Sequence, residues 1–108
     1  MEKYFIYLIT NNKRTVLFAG MTNDLGEELT SLYQKKGSKK SFPTKNNCYQ
    51  LVYFEKSEVA HLALSRLKEM REMNRQEQEN LIRSINPMWK FLNDQITKWP
   101  PKSRVDLR

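Results

Sequence analysis

Two apolar runs joined by a very short polar segment open the sequence, and they restrict the fold more than any other feature. Tyr4 to Ile9 is aromatic and β-branched without a helical period, which is typical of a strand buried on both faces. Asn11 to Arg14 predicts a turn, because asparagine tolerates left-handed backbone angles. Thr15 to Gly20 then returns as a second strand. The sequence therefore predicts an antiparallel hairpin.

Helical periodicity and one further strand follow the hairpin. Leu25, Leu29 and Leu32 lie on one face of a predicted helix, and Asn23 or Asp24 precedes them as the N-cap residue. Tyr49 to Phe54 predicts a third strand.

Two more helices complete the predicted domain. One follows Ser57, and its apolar stripe consists of Val59, Ala63, Leu67, Met70 and Met73. The other ends before Pro87, which cannot continue a helix. The predicted class is α/β (α+β), with a small three-stranded antiparallel or mixed sheet and flanking helices in the order β-β-α-β-α-α. We expect one domain over residues 1–94 and a basic, flexible tail over 95–108.

The charge of the chain indicates the class of partner. Lysine and arginine number 19 against 12 acidic residues, and the formal net charge is +7. This excess favours anionic partners, nucleic acid first, although it can simply keep a small protein soluble. Cys48 is the single cysteine, so no intramolecular disulfide can form and we expect a cytoplasmic location. The run from Tyr4 to Ile9 is too short for a membrane span.

A polar segment from Lys35 to Asn47 carries the densest positive charge. Its five lysines are Lys35, Lys36, Lys39, Lys40 and Lys45. They predict either a grip on phosphate groups or a solvated loop, and Phe42 among them favours nucleic acid because bases stack on aromatic rings. Lys68, Arg71 and Arg75 share a second helix face, which either extends the basic surface or forms the solvent side.

Several short sequence words occur in a characteristic order. They are Phe5-Ile6-Tyr7, Phe18-Ala19-Gly20 followed by Met21 to Leu25, Leu51 to Glu55, and Asn86 to Trp89. Their order and spacing from Tyr4 to Asp94 resemble the GIY-YIG nuclease superfamily. The resemblance is to its small single-domain bacterial members, which are related to the N-terminal nuclease domain of excision-repair endonucleases.

That resemblance implies metal-assisted hydrolysis of a phosphodiester. In the family a tyrosine of the first word helps to activate water, and an arginine on the first helix stabilises the phosphate. A glutamate on the second helix holds Mg²⁺ or Mn²⁺. These residue types suit the reaction, because charge builds on phosphate oxygens and magnesium prefers carboxylate and water ligands.

Position by position, this sequence keeps only part of that machinery. Tyr7 matches the first-word tyrosine and Gly20 the second-word glycine, although each also has a purely structural explanation within a sheet. Phe18 replaces the second-word tyrosine and lacks its hydroxyl. Glu28 stands where the arginine belongs, and Leu67 stands where the metal-binding glutamate belongs.

Three functions remain open from the sequence. The first is an inactive GIY-YIG-fold domain that binds nucleic acid weakly and without sequence preference, with no metal and no other cofactor. The second is an active endonuclease with a rearranged site, which would need Mg²⁺ or Mn²⁺. The third is a protein-interaction module with no nucleic-acid role.

Overall fold

Three strands and five helices make up the computed structural model, which describes residues 3–102. The strands are β1 (Tyr4–Thr10), β2 (Leu17–Thr22) and β3 (Gln50–Ser57), and the helices are α1 (Leu25–Gln34), α2 (Phe42–Lys45), α3 (Ala60–Glu72), α4 (Arg75–Ile85) and α5 (Asn93–Ile96). The predicted order β-β-α-β-α-α is confirmed for the longer elements, and the short α2 and α5 are additional. Within the described residues, no helix combines the length and apolar character needed to cross a membrane.

The sheet is antiparallel throughout, with β1 in the centre and the strand order β2-β1-β3. Tyr7 pairs with Gly20 on one side and with Phe54 on the other. The register shifts once, because Leu8 opposes Tyr53 while Ile9 opposes Leu51. β2 and β3 are therefore both edge strands.

The alternation of side chains along β1 divides the interior into two clusters. Ile6 and Leu8 pack with residues of α3 and α4, including Met70, on what we call the α3 side of the sheet. Tyr7 and Ile9 pack with the leucines of α1 on the opposite face, the α1 side. The sheet is thus covered by helices on both faces, which agrees with the continuous apolar character of β1.

Packing against the α1 side continues beyond residue 94, where we expected the tail to begin. Ile96 and Trp99 contact the cluster on that side, and the Trp99 ring centroid lies 5.2 Å from that of Tyr33 and 6.2 Å from that of Tyr49. The packed part of the chain therefore extends at least to Trp99. Residues 103–108 lie outside the described residues, and flexibility of the tail stays a prediction.

Candidate functional site

Tyr7, Gly20 and Glu28 come together on the α1 side of the sheet. Tyr7 and Gly20 are paired across β1 and β2, and a Cβ atom built on Gly20 would overlap the Tyr7 hydroxyl. Because Gly20 has no side chain, there is room for the phenol ring of Tyr7. Glu28 lies in the first turn of α1, whose start is fixed by Asp24, because the Asp24 side chain accepts a hydrogen bond from the Glu27 backbone N–H at 3.0 Å.

The Tyr7 hydroxyl donates a hydrogen bond of 2.6 Å to Oε2 of Glu28. Tyr7 is only 2% exposed, and burial is the main reason that its pKa lies far above the ordinary value for tyrosine. The hydrogen bond to Glu28 and the charge of that carboxylate raise the pKa further, while the charge of Arg71 lowers it. Tyr7 is therefore a protonated hydrogen-bond donor at neutral pH.

Arg71 is a member of this site that the sequence did not reveal. Its Nε donates to the backbone oxygen of Ala19 at 2.9 Å, and its guanidinium carbon lies 5.3 Å from the centroid of the Phe18 ring. Phe18 in turn stacks on Phe42, with ring centroids 5.8 Å apart. The available signal was helical spacing, since Arg71 follows Leu67 by one turn on α3.

Leu67 belongs to the α3 side, where it is partly buried against the apolar cluster. It supplies no oxygen or nitrogen to the cleft. Glu28 is the carboxylate at the cleft, and one of its oxygens already accepts the Tyr7 proton. Across residues 3–102, no three His, Cys, Asp or Glu side chains lie close enough together to hold a metal ion. The absence of a divalent metal from this cleft stays a prediction.

The predicted lysine loop contains a small pocket. Its volume is about 320 Å³, and it is lined by Lys35, Ser38, Lys40, Ser41 and Thr44. Ser41 begins the short helix α2, and its hydroxyl accepts a hydrogen bond from the Thr44 backbone N–H at 3.4 Å. The pocket, called the lysine pocket below, combines two ammonium groups with three hydroxyl groups.

The other three lysines of the loop do not line this pocket. Lys36 turns back to α1, where its Nζ lies 3.9 Å from the Tyr33 ring centroid and donates to the Tyr33 carbonyl at 3.3 Å. Lys39 and Lys45 are exposed elsewhere on the loop. Phe42 is 51% exposed despite its stacking on Phe18, so it connects the loop to the edge of the cleft.

Comparison with known proteins identifies the class to which this fold and cleft belong. A family model for the GIY-YIG catalytic domain matches residues 3–82. The chain therefore belongs to the GIY-YIG family, as the sequence words indicated.

One solved structure resembles this fold. The solution NMR structure of the UPF0213 protein BH0048 from Bacillus halodurans superposes with a TM-score of 0.52 at 16% sequence identity, covering 93% of this chain and 99% of that one. At that identity the likeness concerns the fold alone. No curated protein matches the chain. The roles of Tyr7, Phe18, Gly20, Glu28 and Leu67 stay predictions.

Proposed function

We propose that this GIY-YIG domain binds nucleic acid without hydrolysing it. The observation that carries the proposal is the hydrogen bond from Tyr7 to Glu28. A carboxylate at that point repels a phosphodiester instead of stabilising it. The same hydrogen bond and the raised pKa keep the Tyr7 hydroxyl protonated, so the phenolate that could accept a proton from water is scarce.

Two further replacements support the loss of hydrolysis. Leu67 removes the carboxylate that would bind a divalent metal, and Phe18 removes a hydroxyl. Loss of a single transition-state donor typically slows an enzyme about 100- to 1,000-fold. Such losses are not additive, but here they remove the metal and the phosphate-binding cation together.

Cleavage assays test the absence of hydrolysis directly. We expect single-stranded, duplex and branched DNA to remain intact with Mg²⁺ or Mn²⁺ present. The matched control is Tyr7→Phe, prepared in the same way. Metal-dependent cleavage by the natural protein that Tyr7→Phe abolishes would establish the active-endonuclease alternative and overturn this part of the proposal.

Nucleic-acid binding is proposed for the lysine pocket. Lys35 and Lys40 supply two positive charges, and Ser38 and Ser41 supply hydroxyl groups that suit phosphate oxygens. The hydroxyl of the buried Thr44 is already bonded to the Ser38 carbonyl, at 2.9 Å. None of these groups forms a pattern that distinguishes bases. We therefore expect weak binding that depends on charge and not on sequence.

Fluorescence anisotropy at several salt concentrations tests this binding. Each phosphate neutralised on duplex DNA contributes about −0.9 to the slope of log K against log salt, so two lysines predict a slope of about −2. Lys35→Ala with Lys40→Ala should flatten the slope. Lys39→Ala with Lys45→Ala removes the same charge outside the pocket and should change it less. Absence of binding to DNA and RNA at low salt would favour the protein-interaction alternative.

We also propose a cytoplasmic location. Cys48 is the single cysteine and is buried. Burial raises the pKa of its thiol to about 11, so the reactive thiolate is scarce at neutral pH. Fractionation of cells that express the full chain tests the location.

A further inference from the structure

A second basic pocket lies where the β1–β2 turn meets α4. Its volume is about 300 Å³, and it is lined by Arg14, Arg75, Glu79, Arg83 and Trp89. This arginine pocket shares no lining residue with the lysine pocket. It also involves none of the family site positions of the cleft.

Two of the three arginines are held in place before any ligand arrives. Arg14 donates from Nε to the Trp89 carbonyl at 3.1 Å, and its guanidinium carbon lies 4.0 Å from the Phe91 ring centroid. Arg75 donates from Nη1 to the carbonyl of Thr15 at 3.0 Å and from Nη2 to that of Arg14 at 3.2 Å. Guanidinium groups fixed in this way lose little conformational entropy when they bind an anion.

The backbone at this pocket is strained at two points. Arg14 has a φ of 60° and Trp89 a φ of 54°, both in the left-handed region that non-glycine residues seldom occupy. Among the described residues the remaining non-glycine case is Asn47, and asparagine tolerates such angles better. Strained residues of this kind concentrate at ligand sites, where the surrounding structure maintains them.

The charges in the pocket do not cancel. Three guanidinium groups face the single carboxylate of Glu79 in the pocket lining. Glu79 pairs with Arg75 at 2.8 Å and with Arg83 at 3.5 Å. The hydrogen bond from Arg75 holds the pKa of Glu79 below its ordinary value, so the carboxylate stays ionised and the excess is two positive charges. Within residues 3–102, Arg14 uses only its Nε in a hydrogen bond, which leaves its two terminal amino groups for a ligand.

We propose that the arginine pocket binds a phosphomonoester. A phosphomonoester carries a charge of about −1.5 to −2 at neutral pH, which matches the excess in the pocket, whereas a phosphodiester carries only one negative charge. Arginine pairs with phosphate oxygens through two parallel hydrogen bonds. Trp89 is only 9% exposed, so the pocket offers little surface on which a base could stack. The phosphate group is therefore what is recognised, on a free nucleotide or at the end of a nucleic-acid strand.

An alternative explanation is that these arginines only tie the turn to α4. Arg75 clearly has that role, since it bonds two carbonyls of the turn. Arg83 does not, because its side chain is 49% exposed and reaches only Glu79, at 3.5 Å. Substitution of Arg83 therefore tests ligand binding with little effect on folding.

An NMR titration that observes arginine Nε–H and tryptophan indole N–H signals is the direct test. Sodium phosphate, a nucleoside monophosphate, and one oligonucleotide in 5′-phosphorylated and 5′-hydroxyl forms serve as probes at constant ionic strength. We expect saturable shifts of Arg14, Arg83 and Trp89. Trp99, which packs on the α1 side, is the internal control and should not shift. Saturation by the small probes indicates a free nucleotide, and saturation by the 5′-phosphorylated strand alone indicates a strand end.

Three variants complete the test. Arg83→Ala should weaken binding about tenfold, the usual effect of losing one hydrogen bond to a charged group. Glu79→Gln should tighten it by removing the competing carboxylate, and Lys3→Ala, which removes an exposed positive charge at the start of β1, should leave it unchanged. The proposal is overturned if chloride produces the same shifts, if Arg83→Ala binds as well as the natural protein, or if both oligonucleotide forms shift the Arg14 and Trp89 signals equally. Lys35→Ala with Lys40→Ala should not affect this site, which separates it from the lysine pocket.

Discussion

Glu28 provides what the buried Tyr7 hydroxyl requires. A phenol removed from water needs a hydrogen-bond partner, and Glu28 accepts a hydrogen bond of 2.6 Å from the Tyr7 hydroxyl. An arginine at position 28 is itself only a donor and could not accept that proton. Glu28 and Tyr7 therefore form an internal hydrogen-bonded pair.

The raised pKa of Tyr7 predicts reduced stability at alkaline pH. In the unfolded chain tyrosine ionises near pH 10, whereas folded Tyr7 keeps its proton well above that pH. The folded state is then the one that binds more protons, so its stability is full below about pH 10 and falls as the pH rises further. Urea unfolding at pH 9.5 and pH 11 should give the natural protein a loss about 1 kcal/mol larger than that of Tyr7→Phe. Equal losses in the two proteins would contradict this assignment.

Gly20 is the second residue whose substitution gives a clear expectation. A Cβ atom there overlaps the Tyr7 hydroxyl, so Gly20→Ala should lower the free energy of unfolding by about 1–3 kcal/mol. Gly26→Ala is the matched control, because its Cβ would meet Thr97 at an ordinary 3.4 Å and alanine favours the helix. Thermal unfolding followed by circular dichroism measures both. A Gly20→Ala protein as stable as the natural one would show that Tyr7 moves freely.

Among the elements, β3 depends on the segment that follows α4. The β3 edge offers unpaired backbone groups, and Asn93 covers two of them by accepting from the Leu51 N–H at 2.7 Å and donating to the Tyr49 carbonyl at 2.8 Å. Asn86 donates to the Val52 carbonyl at 2.9 Å. Covering an edge in this way prevents it from pairing with another chain. The segment 86–93 therefore stabilises the β3 edge of the sheet.

Asn93→Ala should consequently destabilise the domain. It would leave the buried Leu51 N–H without a partner, which costs about 1–3 kcal/mol. Asn80→Ala is the control, because Asn80 is exposed on α4 and accepts only from Gln76. Urea unfolding of both variants provides the comparison. Equal stability of the two would mean that water satisfies Leu51 after the substitution.

The sequence predicted those elements whose packing produces a regular pattern of apolar residues. The apolar run from Tyr4 to Ile9 is continuous because both faces of β1 are covered, and the leucines of α1 recur because one face is buried. Trp99 packs as an isolated residue, which periodicity cannot reveal. The sequence placed Arg71 on a basic helix face, but its contact with β2 could not be predicted because Ala19 is distant in sequence. The convergence of Lys35 and Lys40 depends on the fold of the loop in the same way.

At the scale of the whole molecule, the positive charge is distributed unevenly around the cleft. Arg71 bonds to the carbonyl of Ala19 in β2, Arg75 bonds to carbonyls of the β1–β2 turn, and the lysine pocket follows α1. Glu28 places a negative charge at the cleft beside Tyr7. A net charge of +7 favours anionic partners in general, whereas the carboxylate of Glu28 disfavours an anion at the cleft.

Reversing the charge at position 28 should therefore tighten nucleic-acid binding. Glu28→Arg adds two units of positive charge beside Tyr7. We expect the dissociation constant for duplex DNA at low salt to fall severalfold, with a steeper salt dependence. Glu58→Arg makes the same change at an exposed position outside the cleft and should have a smaller effect. Because Glu28→Arg also removes the acceptor of Tyr7, Glu28→Gln, which removes the charge and keeps an acceptor, serves as the second variant and should tighten binding less. Anisotropy titrations of the four proteins, with circular dichroism to establish folding, decide the outcome. If Glu28→Arg and Glu58→Arg tighten binding equally, net charge alone governs the interaction and the cleft has no special part in it.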